Sequence, residues 1–303
     1  MADGRFAPSP SGDLHLGNLR TALLAWLFAR STGSRFRLRF DDLDRVRPGA
    51  AQRQRDDLAA LGIDWDPPVW RQSERASAYA DAITDLADRG ATYECYCTRR
   101  EIQQAPSAPH APPGAYPGTC RNLSAGRRAE LQADGRRPAL RLRATVDEFT
   151  VIDDLRGRYT GSVDDLVLRR GDGVVAYNLA VVVDDAAQRI EQVVRGGDLL
   201  ASTPRQAYLA SVLGLPPLRY AHVPLVLNAD GRRLAKRDGA VTLADRRARG
   251  QSPAEVRRAL SHSLDLPATD TIEQLLTAFD PDKLPRSPWR YTDARTTLTP
   301  RLT

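Results

Sequence analysis

The sequence predicts an α/β protein built on a parallel sheet, and three stretches predict it. Residues 5–27 run from a short strand through a small-residue turn into a helix, where Leu16, Leu19, Leu23, Leu24 and Leu27 recur at spacings of three and four. Arg35 to Phe40 alternates basic and apolar side chains, as a half-buried strand does. Val174 to Val183 is apolar except for Tyr177 and Asn178, the pattern of a strand covered on both faces. Strand, helix, strand opens a parallel sheet, and such sheets bind ligands at the carboxyl ends of their strands.

At 303 residues the chain is long enough for a large core and two or three domains. Its 42% apolar and 27% charged content is that of a soluble globular protein. No apolar run approaches the roughly 20 residues of a membrane helix, and Met1-Ala-Asp-Gly-Arg5 has no signal-peptide core, so a cytoplasmic protein without membrane partners is expected. A net charge of +6 and a pI near 9.5 suit a polyanionic partner. Of the 44 basic residues only Lys236 and Lys283 are lysine. A chain that uses arginine almost everywhere keeps a lysine at 236, where a flexible point charge differs from a planar fork. Three cysteines between 95 and 120 cannot build a disulfide framework and point to a metal site in a reducing compartment.

The most informative stretch is Arg5-Phe-Ala-Pro-Ser-Pro-Ser-Gly-Asp-Leu-His-Leu-Gly-Asn18. Pro8 and Pro10 fix an extended turn, Gly12 lets it bend, and the helix that follows aims free N–H groups at one spot. That spot attracts phosphates. His15 and Asn18, three residues apart, can face one ligand there. The stretch resembles the first signature of class I aminoacyl-tRNA synthetases in its glutamyl form. The resemblance implies a Rossmann-type catalytic domain that activates glutamate with ATP and Mg²⁺, with His15, Gly17 and Asn18 on the nucleotide. It places Arg5, Ala7 and Ser9 on the amino acid.

In chain order, Asp41, Asp42 and Asp44 follow the second strand. The glutamyl enzymes carry a glutamate on the substrate ammonium there; Asp41 takes that place one methylene shorter. Residues 50–64 and 73–90 read as helices stopped by Gly62 and Gly90, and Trp65 and Trp70 as packing residues. Residues 91–173 read as an insertion. It holds Cys95-Tyr-Cys97, an aperiodic loop at 104–118 with His110, and Tyr116-Pro-Gly-Thr-Cys120. Structural zinc needs four ligands and the thiols supply three. Chemistry alone favours His110 as the fourth. The segment is also similar to the zinc site of glutamyl-Q synthetases, which implies Cys95, Cys97, Tyr116 and Cys120. Strands are expected at 136–145 and 151–154, in what resembles the acceptor-side domain of the family.

Residues 174–230 return to the catalytic domain, with a strand at 190–195, then Arg195-Gly-Gly-Asp198, a helix over 203–213 and a strand over 222–227. By resemblance Arg195 and Tyr177 complete the glutamate site. Arg232-Arg-Leu-Ala-Lys236-Arg237 resembles the second class I signature, with Arg233 for its first lysine and Ala235 for its serine. Lys236 is the residue that would neutralise the leaving pyrophosphate. Residues 231–303 add two helices, at 252–262 and 271–279, and a basic aromatic tail at 286–291 read as packing. The 67 residues after Lys236 leave no room for the anticodon-binding domains of full glutamyl-tRNA synthetases. The similarity to the shorter glutamyl-Q group implies queuosine in the anticodon of tRNA(Asp) as acceptor, and a monomer. A shortened glutamyl-tRNA synthetase, glutamate activation for another acceptor, and a non-catalytic tRNA-binding relative are the alternatives.

Overall fold

The structure is a computed structural model and describes residues 2–104, 115–234 and 241–292. The chain begins with β1 (Gly4–Phe6), α1 (Leu16–Ser31), β2 (Phe36–Phe40), α2 (Ala50–Ala60), β3 (Asp66–Arg71) and α3 (Ala76–Asp88). Then come β4 (Thr92–Cys95), α4 (Arg99–Gln104), α5 (Ala125–Ala133), β5 (Ala139–Leu142), β6 (Glu148–Asp153), β7 (Gly157–Ser162) and β8 (Val167–Arg169). The chain returns through α6 (Tyr177–Ala187), β9 (Gln192–Gly196), α7 (Thr203–Val212), β10 (Arg219–Val223) and β11 (Val226–Leu227). It ends in α8 (Leu243–Ala248), α9 (Pro253–His262), α10 (Ile272–Thr277) and β12 (Trp289–Arg290). Among the described residues, no helix is long and apolar enough to cross a membrane.

The main sheet has seven strands in the order β3-β2-β1-β9-β10-β6-β7, parallel except for the β6–β7 hairpin. The chain winds outward from β1 to β3, then restarts on the other side of β1 with β9. The topological switch therefore lies between β1 and β9, where a crevice must open above the strand ends. Within 91–173, β4, β5 and β8 form a separate three-stranded sheet, whereas β6 and β7 lengthen the main one.

One expected strand is a helix. Val174 to Val183 belongs largely to α6, in which Leu179, Ala180, Val181 and Val182 are buried and so are Asp184 and Asp185. A short continuous apolar run does not by itself distinguish a covered strand from a buried helix. Here the helix bridges the second sheet and β9, and burial on all sides removes its period. The helices at 50–64, 73–90, 203–213, 252–262 and 271–279 form close to their expected bounds. Gly62 and Gly90 end theirs at φ of 82° and 67°. Trp65 packs on the core, and the tail closes onto β11 through β12, with Tyr291 buried in the core.

α1 is the central pillar. Leu19, Leu23, Leu24 and Leu27 are essentially inaccessible and pack with Phe36, Leu38 and Phe40 of β2; each buried leucine contributes about 1.5–3 kcal/mol. Arg20 on the same helix is 1% exposed and ties the C-terminal helices to the sheet. It donates to Pro224 O at 2.8 Å and to Ser263 through Nε at 2.9 Å and Nη2 at 3.2 Å.

Asp57 of α2 is also buried, and burial pushes its carboxyl up to about 6, with Arg247 opposing and Asp13 adding to the rise. A folded-state pKa above the unfolded value means that stability is lost as pH rises through the folded pKa. Asp57→Asn should therefore stabilise the protein at pH 8 by on the order of 1–2 kcal/mol, and the gain should fade from about pH 6 towards pH 4. Thermal melts of both proteins across that range check the sign.

Candidate active site

A cleft of about 530 Å³ opens at the switch point. Its walls gather Arg5, Ala7, Ser9, His15, Gly17, Asn18, Asp41, Tyr177 and Arg195, all the expected nucleotide and amino-acid residues that the structure describes. Lys236 lies outside the described residues, as does His110. The flanks of the second signature are fixed beside the first. Leu234 N donates to Val226 O at 2.9 Å, and Leu16 N donates to Val241 O at 2.8 Å.

The signature turn is held from two sides. Asp41 N donates to Pro8 O, and Gln54 of α2, 1% exposed, donates to the carbonyls of Ser9 at 3.1 Å and Gly12 at 2.6 Å. Gly12 has φ of 144°, a conformation other residues rarely adopt. α1 then starts with a reciprocal cap. Asn18 N donates to His15 Nδ1 at 3.2 Å, and His15 N donates to Asn18 Oδ1 at 3.3 Å. Nδ1 accepts, so the imidazole proton sits on Nε2.

Beneath the cleft lies a buried ionic cluster. Arg5 donates to both oxygens of Asp185, from Nε at 3.0 Å and Nη2 at 3.1 Å. Arg39, fully buried, donates to Asp41 Oδ1 at 2.8 Å, Asp185 Oδ1 at 2.8 Å and Gln188 Oε1 at 3.0 Å. Asp184 accepts from Gln72, Arg75 and Tyr79. Burial alone would raise Asp185, but Arg5 and Arg39 hold its carboxyl below the usual range. Burial wins at Asp41 and raises it in spite of Arg39. Arg5 is thus tied along its Nε–Nη2 edge and offers the Nη1–Nη2 end to the cleft. Arg195 is tied the same way, its Nε donating to His222 Nε2 at 3.1 Å and its Nη2 to Thr203 Oγ1 at 2.8 Å. Two guanidinium ends beside Ser9, Tyr177 and Asp41 can take up a small zwitterion that carries an extra carboxylate.

The sequence pattern does not single out Arg39, Asp184, Asp185, Asp153, Thr203 or His222 as site residues. Their only trace is a pair of acids closing an apolar run and an arginine between Leu38 and Phe40. Asp198 lines the cleft and pairs with Arg233 at 2.5 Å, which joins the β9 turn to the second signature.

At the end of β4, the sulfurs of Cys95, of Cys97 just beyond it and of Cys120 lie within 4.8 Å of one another. The Tyr116 hydroxyl is 3.2 Å from Cys95 Sγ and 3.8 Å from Cys97 Sγ. Zn–S bonds of about 2.3 Å put tetrahedral ligands roughly 3.8 Å apart, so this donor set fits a zinc ion.

A Cβ on Gly17 would stand 2.9 Å from His15 Cε1. Gly17→Ala should therefore move the imidazole and lower the rate of glutamate-dependent ATP–pyrophosphate exchange by at least about tenfold, with little change in melting temperature. Exchange kinetics and melting curves of the variant check this.

The description of tRNA synthetases class I (E and Q), catalytic domain, matches residues 2–264. A glutamyl-Q tRNA(Asp) synthetase of Nocardia farcinica is 68% identical over 290 residues, covering 96% of this chain and 93% of the relative. One from Symbiobacterium thermophilum is 48% identical, with 96% of each chain covered. Among solved structures, a glutamate tRNA ligase from Elizabethkingia meningosepticum, crystallised with its amino acid, superposes with a TM-score of 0.81 at 25% identity, over 96% of this chain and 67% of that one. The chain belongs to the class I tRNA synthetases (E and Q), in the family of the glutamyl-Q tRNA(Asp) synthetases.

Proposed function

We propose that this protein is a ligase that activates L-glutamate with ATP and transfers it to queuosine in the anticodon of tRNA(Asp). The observation that carries the reading is the cleft at the switch point, where two guanidinium ends face the same space as the capped start of α1.

Activation joins the substrate carboxylate to the α-phosphate and expels pyrophosphate, so negative charge grows on phosphorus and on the leaving group. His15 donates from Nε2, and with the Asn18 side-chain amide and the Gly17 N–H it holds phosphate oxygens, because the N–H groups of Leu16, Asn18 and Leu19 are already spent on Val241 and on the cap; Gly17 lets the nucleotide approach. Lys236 completes the nucleotide site as the cation for the leaving pyrophosphate, and Mg²⁺ accompanies ATP. Arg5 and Arg195 take the side-chain carboxylate, aided by Ser9 and Tyr177, with Ala7 supplying backbone. Asp41 takes the ammonium. Burial raises its carboxyl in spite of Arg39, which serves only one of its oxygens, so a cation beside the other favours the charged form. Glutamine would leave a guanidinium end imperfectly paired in a dry pocket, which is how such sites reject a neutral isostere.

The acceptor follows from chemistry as well as from the relatives' names. Queuosine carries a cyclopentene cis-diol, which imitates the ribose diol of a terminal adenosine, and loops present splayed-out bases that proteins can reach. The segment with β4, β5 and β8 forms a zinc-pinned unit on this reading, and α8, α9 and α10 a small helical subdomain. Cys95, Cys97, Cys120 and Tyr116 hold the zinc, which supplies a cross-link rather than chemistry.

Pyrophosphate exchange should respond to glutamate and hardly to glutamine or aspartate. Labelled glutamate should pass to tRNA(Asp) whose CCA end has been trimmed away, and not to tRNA(Asp) made without queuosine. If trimming abolishes transfer, or tRNA(Glu) is charged at its 3′ end, the protein is a shortened glutamyl-tRNA synthetase. For the metal, purified protein should carry about one zinc per chain. Tyr116→Phe should release it faster to a chelator, and His110→Ala should not; the reverse result gives the fourth position to His110.

A further inference from the structure

Arg195 is held from behind by a chain of buried groups that crosses three strands. β9 and β10 run in a register that sets Arg195 opposite His222, and β10 in turn meets β6 at Tyr220 and Asp153. His222 and Asp153 are both wholly screened from solvent. Asp153 Oδ2 lies 2.5 Å from His222 Nδ1 and accepts the His222 backbone N–H at 3.0 Å. Its Oδ1 accepts the N–H groups of Leu155 at 2.9 Å and Arg156 at 2.8 Å. All the lone pairs of this carboxylate that face protein are thus in use, and it cannot turn.

The protonation pattern follows from the donors. An arginine Nε only donates. Because Arg195 Nε points at His222 Nε2 from 3.1 Å, that nitrogen carries a lone pair and the ring proton is on Nδ1, directed at Asp153. Burial disfavours a second proton on the ring and outweighs the pull of Asp153, and Arg195 itself adds to that. The Thr203 hydroxyl, 0% exposed, accepts from Arg195 Nη2 at 2.8 Å and sits 3.0 Å from the same His222 nitrogen. The Tyr220 ring centroid is 5.7 Å from the guanidinium carbon on a further side. Every contact lies on the Nε–Nη2 edge or on a face. What they leave is the Nη1–Nη2 end, the part that lines the cleft.

We propose that His222 and Thr203 are positioning residues for the substrate carboxylate: they clamp the side edge of Arg195 so that its guanidinium end is aimed before glutamate arrives, and Asp153 fixes the His222 tautomer that makes the clamp. The inference rests on the reading of Arg195 as a carboxylate fork. An arginine side chain samples many rotamers, and a bidentate contact is productive in one plane only, so aiming it in advance spares the substrate that ordering. The clamp touches the amino-acid half of the cleft and not the nucleotide half. It is built partly from β6, which belongs to the segment between the two halves of the catalytic domain.

The test is the glutamate-dependent ATP–pyrophosphate exchange of Thr203→Val, His222→Leu and His222→Gln, with KM measured separately for glutamate and for ATP. Thr203→Val keeps the shape and loses only the hydroxyl; it should raise the glutamate KM by about fivefold and leave the ATP KM within about twofold. His222→Leu should raise the glutamate KM by about 10- to 100-fold. His222→Gln, whose Oε1 can accept from Arg195 Nε, should recover most of that loss. Melting temperatures are recorded for all three. Glutamate KM values that stay at the wild-type level, or that move together with those for ATP in proportion to lost stability, overturn the clamp. Arg195→Ala separates the two claims. If it leaves the glutamate KM unchanged, the fork reading fails and takes the clamp with it. If it raises the glutamate KM while Thr203→Val and His222→Leu do not, the fork stands and the clamp is overturned.

Discussion

The ion cluster around Arg39 is the constraint on which the rest of the cleft depends. A guanidinium with no solvent contact draws Asp41 from the end of its own strand and Asp185 from α6, while Asp184 stands 3.8 Å away. Isolated, any of these charges would cost several kcal/mol to bury. Together they compensate, and the compensation works only if β1, β2, α3 and α6 sit where they do. Removing one partner would leave an unmatched charge in the interior, typically a loss of about 3–5 kcal/mol. The same contacts set the floor of the cleft. Asp185 keeps its charge because two arginines face it, and Asp41 keeps a carboxyl less well served. The charge pattern therefore exists before any ligand enters, at the point where the strand order reverses.

How much of this was legible in the sequence divides along chain separation. The signature turn was readable because its parts are consecutive: the prolines, Gly12, His15 and Asn18 act within a short stretch of chain, although their spacing suggested a shared ligand and not the reciprocal cap on α1 that His15 and Asn18 form. The helices with a polar face were readable for the same local reason. Val174 to Val183 was not, because burial on every side erases the period that tells a helix from a strand. The groups behind the cleft were harder still. Arg5 meets Asp185 across 180 positions and Arg39 meets it across 146, so no window of sequence holds both partners. His222 reads as one histidine in a short strand, and only the β6–β10 register shows that Asp153 stands against it. The cysteines fell between these cases: their clustering was visible and Tyr116 came with them only through the family resemblance, while the distances that bring the four side chains together required the fold.

Residues 91–173, which the sequence reads as an insertion, are joined to the main sheet more closely than that reading suggests. One part folds on itself as β4, β5 and β8 around the thiols, and the other becomes the flank of the main sheet. Asp153 closes that second part. Its carboxylate holds the turn into Leu155 and Arg156 with one oxygen and the histidine of the neighbouring strand with the other.

That arrangement also determines what the sheet presents to other proteins. An open parallel sheet has two bare margins, each a row of unpaired amides on which another chain can add a strand. Here the β3 margin carries Pro67 and Pro68, which have no N–H to offer. The opposite margin is β7, with Arg158 and Thr160 turned to solvent and Gly161 pressed against Pro204 of α7. Neither border of the main sheet is a ready template for strand addition, so edge-to-edge pairing through that sheet is disfavoured even when polyanions draw copies of this arginine-rich chain close together.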